Sequence, residues 1–140
     1  MRSLNWAGMI LLTLASATAA ADGDKEYREH TMEAIGGHMQ AAVNILKGEV
    51  SHTDHLPIHA RALAELSTIA PTLFPAGSGE DSDALPAIWE DPDDFAERLD
   101  AFKTAAAGLD AAVKSGDGVG PAFQKLGQAC KGCHDNYRAE

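Results

Sequence analysis

The sequence predicts an all-α protein, an antiparallel four-helix bundle with up-down-up-down order. Along four segments, apolar residues recur at alternating steps of three and four, as on the buried face of a bundle helix. The connections between these segments are mostly short, so consecutive helices are expected to run antiparallel. No segment alternates between apolar and polar residues as a half-buried strand does. A chain of 140 residues is long enough for one such domain.

Residues 1–21 are expected to be a cleaved signal peptide, which leaves 22–140 as the exported, periplasmic domain. Arg2 supplies a short positive region, and the apolar run that follows, WAGMILLTL, is too short for a stable membrane anchor. Small residues at 15–21 then offer cleavage sites, and we expect cleavage after one of residues 19–21. A retained anchor is the alternative interpretation. No other stretch approaches the length of a transmembrane helix.

The helical period of the first helix runs from residue 24 to about residue 50, and residues 47–51 are predicted to end this helix. Its apolar face consists of Met32, Ile35, Met39, Val43 and Leu46. Gly36 and Gly37 interrupt this helix, and each costs about 1 kcal/mol relative to alanine in a helix interior. Either the pair is a tolerated weak spot, or a bulky group approaches the backbone there.

The second helix is predicted to begin near Asp54 as N-cap, with Pro57 in its first turn, and to stop at Pro71. Its apolar face consists of Leu56, Ala60, Leu63, Leu66 and Ile69 or Ala70. Residues 75–86 are rich in glycine, serine and aspartate and are expected to form a surface loop.

The third helix has a clear predicted start, with Asp91 as N-cap and Pro92 in the first position. Its predicted buried face consists of Phe95, Leu99, Phe102, Ala106, Leu109 and Val113. Residues 115–118 end this helix, and Pro121 is expected to open the fourth, whose face carries Phe123, Leu126, Ala129 or Cys130, and Cys133.

The fourth helix contains C-x-x-C-H at Cys130, Cys133 and His134, the attachment motif of a c-type haem. Residues three and four apart share a helix face, so the two thiols and the imidazole point the same way. A disulfide or thioredoxin-like redox pair is the first alternative, but that motif normally follows a strand, and none is predicted here. A zinc site would need a fourth ligand, and only three are local.

The charge of the chain limits its partners. The formal net charge is −10, and it becomes −11 when Arg2 leaves with the signal peptide. Such a charge argues against nucleic acid or an anionic membrane as a partner, and favours a partner protein with a basic surface patch.

Taken together, four helices with C-x-x-C-H almost at the end resemble the class II cytochromes c, which include cytochrome c′. The resemblance extends over the mature chain through YREHTM (27–32), KGE (47–49), PAIW (86–89) and 130–138. REHTMEAIGGHM and PAIWED look closest to the low-spin cytochrome c-556 type.

This resemblance implies one covalently bound haem c, with thioethers to Cys130 and Cys133 and with His134 as the proximal iron ligand. The position of Met32 is the distal one, where a methionine binds iron in the c-556 type. In cytochromes c′ that position is usually apolar and the iron five-coordinate and high-spin, although some carry an unbound methionine there. Arg28 resembles the family arginine beside the haem propionates.

Several of these residues also have a plainer interpretation. Met32 lies on the apolar face of its helix, where a lone methionine usually fills the core. Arg28 could form a salt bridge at the rim of the haem pocket. Met39 and Trp89 are expected in the core, and His30 and His38 in solvent. The spacing of His55 and His59 suits a metal pair, with His52 nearby. Tyr137 and Arg138 share a face with His134 and are candidates for the haem border.

The predicted function is one-electron transfer in the periplasm by an iron-containing haem protein with no enzyme activity. No triad, paired carboxylates or phosphate loop is evident in the sequence. The first alternative is a high-spin cytochrome c′ that binds NO or CO at an open distal site. The second is a copper- or zinc-binding bundle that uses His52, His55 and His59. Besides a redox partner, a second copy of the chain is a possible partner, as in many cytochromes c′.

Overall fold

The computed structural model describes the backbone of residues 11–140 and the side chains of residues 20–140. Its helices are α1 (Leu11–Leu46), α2 (Leu56–Ile69), α3 (Ala87–Glu90), α4 (Pro92–Ser115) and α5 (Val119–Tyr137). Residues 11–140 contain a single isolated β-bridge, between Ala84 and Arg138, and no strand. The prediction of an all-α four-helix bundle is confirmed, with α1, α2, α4 and α5 as its long helices.

The long helices pack in chain order around one core. Helix α1 packs on α2, α2 on α4, and α4 on α5. Within the described residues, α1 and α5 do not pack closely against each other, which leaves room between them. The core contains Ile35, Ala60, Leu63, Ile88, Phe95, Leu99, Phe102, Ala106, Leu109 and Leu126. The predicted buried face of the third helix is therefore confirmed, except that Val113 is only half-buried.

Helix α1 differs from its prediction at its C-terminal end. It stops at Leu46, and a turn with Gly48 at a φ of 70° follows within residues 47–51, the segment predicted to end it; the difference lies in the residues that are buried. Its buried residues there are Ala42 and Ile45, whereas Leu46 is exposed. The sequence pattern alternates steps of three and four, which averages 3.5 residues, but a straight helix has 3.6 per turn. Ala42 is therefore buried at this end of the helix, whereas Val43 is only half-buried.

The signal-peptide interpretation stays a prediction. Residues 1–10 lie outside the described part of the chain, and the backbone of residues 11–21 continues α1. Among the described residues, no helix combines the length and the apolar character that crossing a membrane requires.

The prediction that Asp54 caps the second helix is wrong. Asp54 lies inside a 3-10 turn, Thr53–His55, and α2 begins at Leu56 without a side-chain cap. Pro57 explains this start, because its ring fixes φ at a helical value and its missing N–H needs no cap at the first turn.

The predicted start of the third helix is confirmed in α4. The Asp91 carboxylate accepts a hydrogen bond from the Asp94 backbone N–H at 3.3 Å, and Pro92 takes the first position. Helix α5, by contrast, begins at Val119, two residues before the predicted Pro121. A proline fits at the third position because the first four N–H groups of a helix have no partner within the helix.

Candidate haem site

A cleft of about 1020 Å³ lies between α1 and α5. This is at the upper end of the usual size of ligand pockets, roughly 300–1,000 Å³. Residues from four helices and one loop line it: Arg28, Met32, Gly36 and Met39 from α1; Ile88 from α3; Phe95, Leu99 and Phe102 from α4; Cys130, Cys133, His134 and Tyr137 from α5; and 81–84 from the loop. The residues predicted separately on the first and last helices therefore meet at one cavity.

Cys130 and Cys133 are half-buried free thiols on the cleft side of α5. Burial raises the pKa of the Cys130 thiol. Burial, together with the neighbouring Cys130, raises the pKa of Cys133 to about 11. A redox-active dithiol needs a lowered thiol pKa, because the thiolate is the nucleophile. The environment of the two thiols therefore argues against the thioredoxin-like alternative.

His134 follows Cys133 on α5 and lies at the open side of the same cleft. Although the residue is exposed, partial desolvation and the positive charge of Arg138 lower the pKa of His134, while Asp135 opposes them. A lowered pKa keeps the imidazole neutral at neutral pH, and a neutral imidazole has the lone pair that a metal ligand needs.

Two kinds of contact hold the end of α5 against α4, one polar and one aromatic. The Tyr137 hydroxyl donates a short hydrogen bond to the Asp94 carboxylate, and Arg98 contacts the same carboxylate at 3.3 Å. The hydrogen bond to Asp94 raises the pKa of Tyr137 to about 12 and lowers that of Asp94. The Tyr137 ring packs edge-on against Phe95, with ring centres 4.9 Å apart. These contacts fix the helix that carries His134.

On the opposite side of the cleft, Met32 and Met39 are half-buried and line the cavity. Gly36 lies between them, one turn from Met32. A Cβ atom added at Gly36 would meet no atom within 4 Å, so this stretch of the α1 backbone borders open space in the cleft. Gly37 has equal space but does not line the cleft. Of the two interpretations of the glycine pair, Gly36 thus fits a site for a bulky group.

Arg28 lies one turn before Met32 and is buried, with only 4% of its surface exposed. Its Nη1 donates to the Leu73 carbonyl at 3.1 Å and to Ser78 Oγ at 2.7 Å. Its Nη2 donates to the Ser78 carbonyl at 2.6 Å and to Ser82 Oγ at 3.3 Å. The guanidinium thus binds the loop of residues 73–85, and in the described chain its hydrogen-bond acceptors are neutral oxygens.

Sequence reasoning missed the structural role of this loop. The composition of residues 75–86 predicts a surface loop, yet Ser78 is buried, with 2% of its surface exposed. Trp89 covers the loop: its indole N–H donates to the Phe74 carbonyl at 3.1 Å, and a Cβ at Gly79 would lie 2.5 Å from the indole ring. The sequence contains one signal of this packing, Gly79, because a residue with a side chain would not fit where the indole ring approaches the loop backbone.

The same loop also contacts the end of α5. The Leu85 N–H donates to the Tyr137 carbonyl at 3.0 Å, and the Ala139 N–H donates to the Asp83 carbonyl at 2.8 Å. Loop 73–85 therefore connects Arg28 on α1 with the residues just after His134 on α5.

The histidines of α1 and α2 are arranged differently from the predicted cluster. His38 and His59 face each other across the two helices with Nδ1 atoms 3.0 Å apart, and His52 stacks on His55. His30 is exposed and contacts only Glu26 and Glu33. Nowhere in the described part of the chain do three His, Cys, Asp or Glu side chains group to hold a metal ion. His52, His55 and His59 are therefore not brought together as a three-ligand site.

A family model described as Cytochrome C' matches residues 24–138. The chain belongs to the cytochrome c′ family. A cytochrome c′ is a class II cytochrome c that binds one covalently attached haem c with its iron, and this chain is therefore a haem protein of electron transfer or gas binding. The cleft fits such a group, since its α5 wall presents two thiols and an imidazole and its α1 wall leaves space at Gly36.

Relatives of the c-556 type and of the c′ type are similar to this cytochrome along most of its length. Cytochrome c-556 of Agrobacterium fabrum is 38% identical over 94% of this chain and 92% of its own. Cytochrome c′ of Pararhodospirillum photometricum is 34% identical over 86% of this chain and 99% of its own. Cytochrome c-554 of Cereibacter sphaeroides is 48% identical, but this chain spans only 50% of its length.

Solved structures agree in fold. Cytochrome c prime from Shewanella frigidimarina matches with a TM-score of 0.81 and 35% identity, over 86% of this chain and 97% of that one. The nitric oxide complex of a point mutant of cytochrome c prime from Alcaligenes xylosoxidans matches with a TM-score of 0.78 and 28% identity, over 86% and 97%.

Proposed function

We propose that this cytochrome is a periplasmic one-electron carrier whose haem iron is bound by His134 and Met32. The observation that carries the proposal is the lining of the cleft, where Met32 on α1 lies across from the C-x-x-C-H residues on α5. The haem supplies the chemistry, reversible cycling between ferric and ferrous iron. A thioether is a neutral ligand, and a His/Met pair raises the reduction potential.

The protein residues have distinct roles in this proposal. Cys130 and Cys133 would hold the haem through thioethers, and the neutral imidazole of His134 would be a ligand of its iron. Tyr137 and Asp94 fix the turn that carries His134, so that its ring keeps one orientation. The aromatic and aliphatic residues of α4 exclude water from the cleft. No group in this set is assigned to bond-making on a substrate, so we propose no enzyme activity.

Arg28 is proposed as the partner of a haem propionate. Buried charges in proteins are normally paired, and a buried cation without a counter-ion is costly. Arg28 is buried at the edge of the cleft, and among the described residues it forms no salt bridge. A guanidinium has five N–H donors, and the hydrogen bonds to loop 73–85 occupy four of them, which leaves Nε–H for a carboxylate.

Absorption spectra of the ferric and ferrous protein test the ligation by Met32. We expect a low-spin spectrum in the native protein and a high-spin spectrum in Met32→Ala, because the sixth ligand is lost. Met39→Ala is the matched control, since Met39 also lines the cleft on α1 and its removal is expected to leave the low-spin spectrum unchanged. A native high-spin spectrum that Met32→Ala does not alter would contradict the electron-carrier proposal.

That outcome would favour the second candidate function, binding of NO or CO at an open distal site. The observation in its favour is the similarity to a cytochrome c prime whose structure is described as a nitric oxide complex. Titration of the ferrous protein with CO separates the two: rapid and complete binding by native protein supports the gas-binding function. Binding that becomes rapid only in Met32→Ala supports ligation by the methionine.

Export and partners are part of the proposal. Residues 1–21 are expected to be removed on transfer to the periplasm, which mass spectrometry of the periplasmic protein tests by the mass of its N-terminal peptide.

The formal charge of −10 supports a redox partner with a basic surface patch rather than nucleic acid. A homodimer is the second assembly proposed, and sedimentation of the holoprotein tests it.

A further inference from the structure

His38 on α1 and His59 on α2 form a pair outside the haem cleft. Their Nδ1 atoms are 3.0 Å apart, both residues are half-buried, and neither lines the cleft. Both side chains extend from long helices that pack on each other, so the separation of the rings is set by the bundle rather than by a loop. Nothing in the proposed electron transfer uses this pair.

Two ring nitrogens at this distance share one hydrogen, which one of them carries and the other accepts. Once that hydrogen has moved to another ring nitrogen, both Nδ1 atoms have a lone pair that can bind a metal ion. A metal–nitrogen bond is about 2.0–2.1 Å long, so neighbouring ligands of a square-planar ion lie about 2.9 Å apart and those of a tetrahedral ion about 3.3–3.4 Å apart. The observed 3.0 Å is close to the square-planar value. Imidazole nitrogens in that geometry favour Cu(II) or Ni(II), and Cu(II) binds more tightly of the two.

We propose that His38 and His59 form a binding site for a Cu(II) ion between α1 and α2, with water in the remaining positions. In the metal-free pair, one Nδ1 carries the hydrogen that the other accepts. When that proton moves to Nε2 of its own ring and each ring turns by about 45° away from the line joining the two nitrogens, both Nδ1 lone pairs point to a common position. A neutral pair therefore binds the ion without net loss of a proton.

The surroundings of the pair support binding of a cation. Desolvation, with the neighbouring rings of His38 and His55, lowers the pKa of His59, which keeps its ring neutral at neutral pH. The formal charge of the whole chain is −10, so a dication is attracted to the protein. The pair differs from the predicted His52, His55 and His59 cluster, because it joins two helices and requires the tertiary structure.

The test is calorimetric titration of the ferric holoprotein with Cu(II) in the presence of glycine as a competing chelator. We expect one tight site per chain, and low-temperature electron paramagnetic resonance should show nitrogen splitting on the copper signal. His38→Ala and His59→Ala should each weaken binding about ten-fold or more, since each removes one of two protein ligands. His38→Gln and His59→Gln, which keep a hydrogen-bonding side chain, should weaken it equally.

Two matched variants locate the ion. His30→Ala removes an exposed histidine of the same helix α1, and His55→Ala removes the i,i+4 neighbour of His59 on α2; both should bind Cu(II) within about two-fold of native protein. The haem absorption spectrum of each variant verifies its fold. Native affinity in the His38 variants would overturn the proposal, as would loss of the site in His30→Ala. Loss in His55→Ala without loss in His38→Ala would assign the ion to α2 alone and would also overturn it.

Discussion

Helix α5 carries its three haem-binding candidates within five consecutive residues, whereas α1 contributes Arg28, Met32 and Gly36 from successive turns. The α5 wall is held directly on α4 through Tyr137 and Asp94. The α1 wall is connected to α5 mainly through loop 73–85, which Arg28 binds. One wall of the cleft is thus specified by a local motif and the other by contacts distant in sequence. Changes in α1 are therefore expected to alter the haem environment while the attachment motif stays intact.

The largest effect is expected at Gly36, where a side chain would enter the cleft. Gly36→Leu should lower the yield of holoprotein several-fold or displace Met32 from the proposed ligation of the iron, because the added side chain extends into the space beside Met32. The haem absorbance at equal protein concentration measures the yield of holoprotein. Loss of the low-spin spectrum measures the displacement of the ligand. Gly37→Leu is the control, since Gly37 has the same open surroundings but does not line the cleft. Equal haem content and spectra in both variants would contradict the assignment of Gly36.

The next largest effect is expected at Arg28, which connects the two walls. Arg28→Ala leaves the buried Ser78 carbonyl and hydroxyl without this donor, and should lower the free energy of unfolding by about 3 kcal/mol, since a hydrogen bond to a charged group contributes about 1.5–3 kcal/mol. Urea unfolding of the holoprotein measures it.

Arg61→Ala is the matched control for Arg28, because Arg61 is an exposed arginine of α2 whose Nε lies 3.8 Å from the Glu65 carboxylate. It should change the unfolding free energy by less than about 0.5 kcal/mol. If the two variants unfold alike, loop 73–85 does not depend on Arg28 and the proposed connection fails.

The smallest effect is a pH dependence on the α5 side. The folded-state pKa of Tyr137, about 12, lies above the ordinary value of about 10. The hydrogen bond to Asp94 therefore contributes fully below pH 10, and its contribution is lost as the pH rises from about 10 towards 12. Urea unfolding at pH 9, 10 and 11 should show this loss in native protein and a smaller loss in Tyr137→Phe.

Tyr27→Phe provides the comparison for Tyr137→Phe, because Tyr27 is exposed. It should keep the pH dependence of native protein. If the free energy of unfolding falls equally above pH 10 in Tyr137→Phe and in native protein, a group other than Tyr137 causes the fall.

Sequence reasoning succeeded where the signal is local. The capping of α4 by Asp91 depends on four consecutive residues, 91–94, and the prediction of haem c depends on the five residues of C-x-x-C-H. The prediction failed for Asp54, where Pro57 set the helix start, and for the last buried residues of α1, which are Ala42 and Ile45 rather than Leu46. Local propensities differ by about 1 kcal/mol or less, so packing can override them.

The sequence by itself determined the helical fold, the C-x-x-C-H motif typical of a haem c protein, and the shared helix face of Cys130, Cys133 and His134, because these follow from spacing along one helix. Only the tertiary structure decided which surface Arg28 binds, that Gly36 borders the cleft while Gly37 does not, and that His59 meets His38 rather than His52 or His55. Helical periodicity gives the direction of a side chain relative to its own axis. The partner across the bundle depends on how the axes pack, and that arrangement is a property of the folded core.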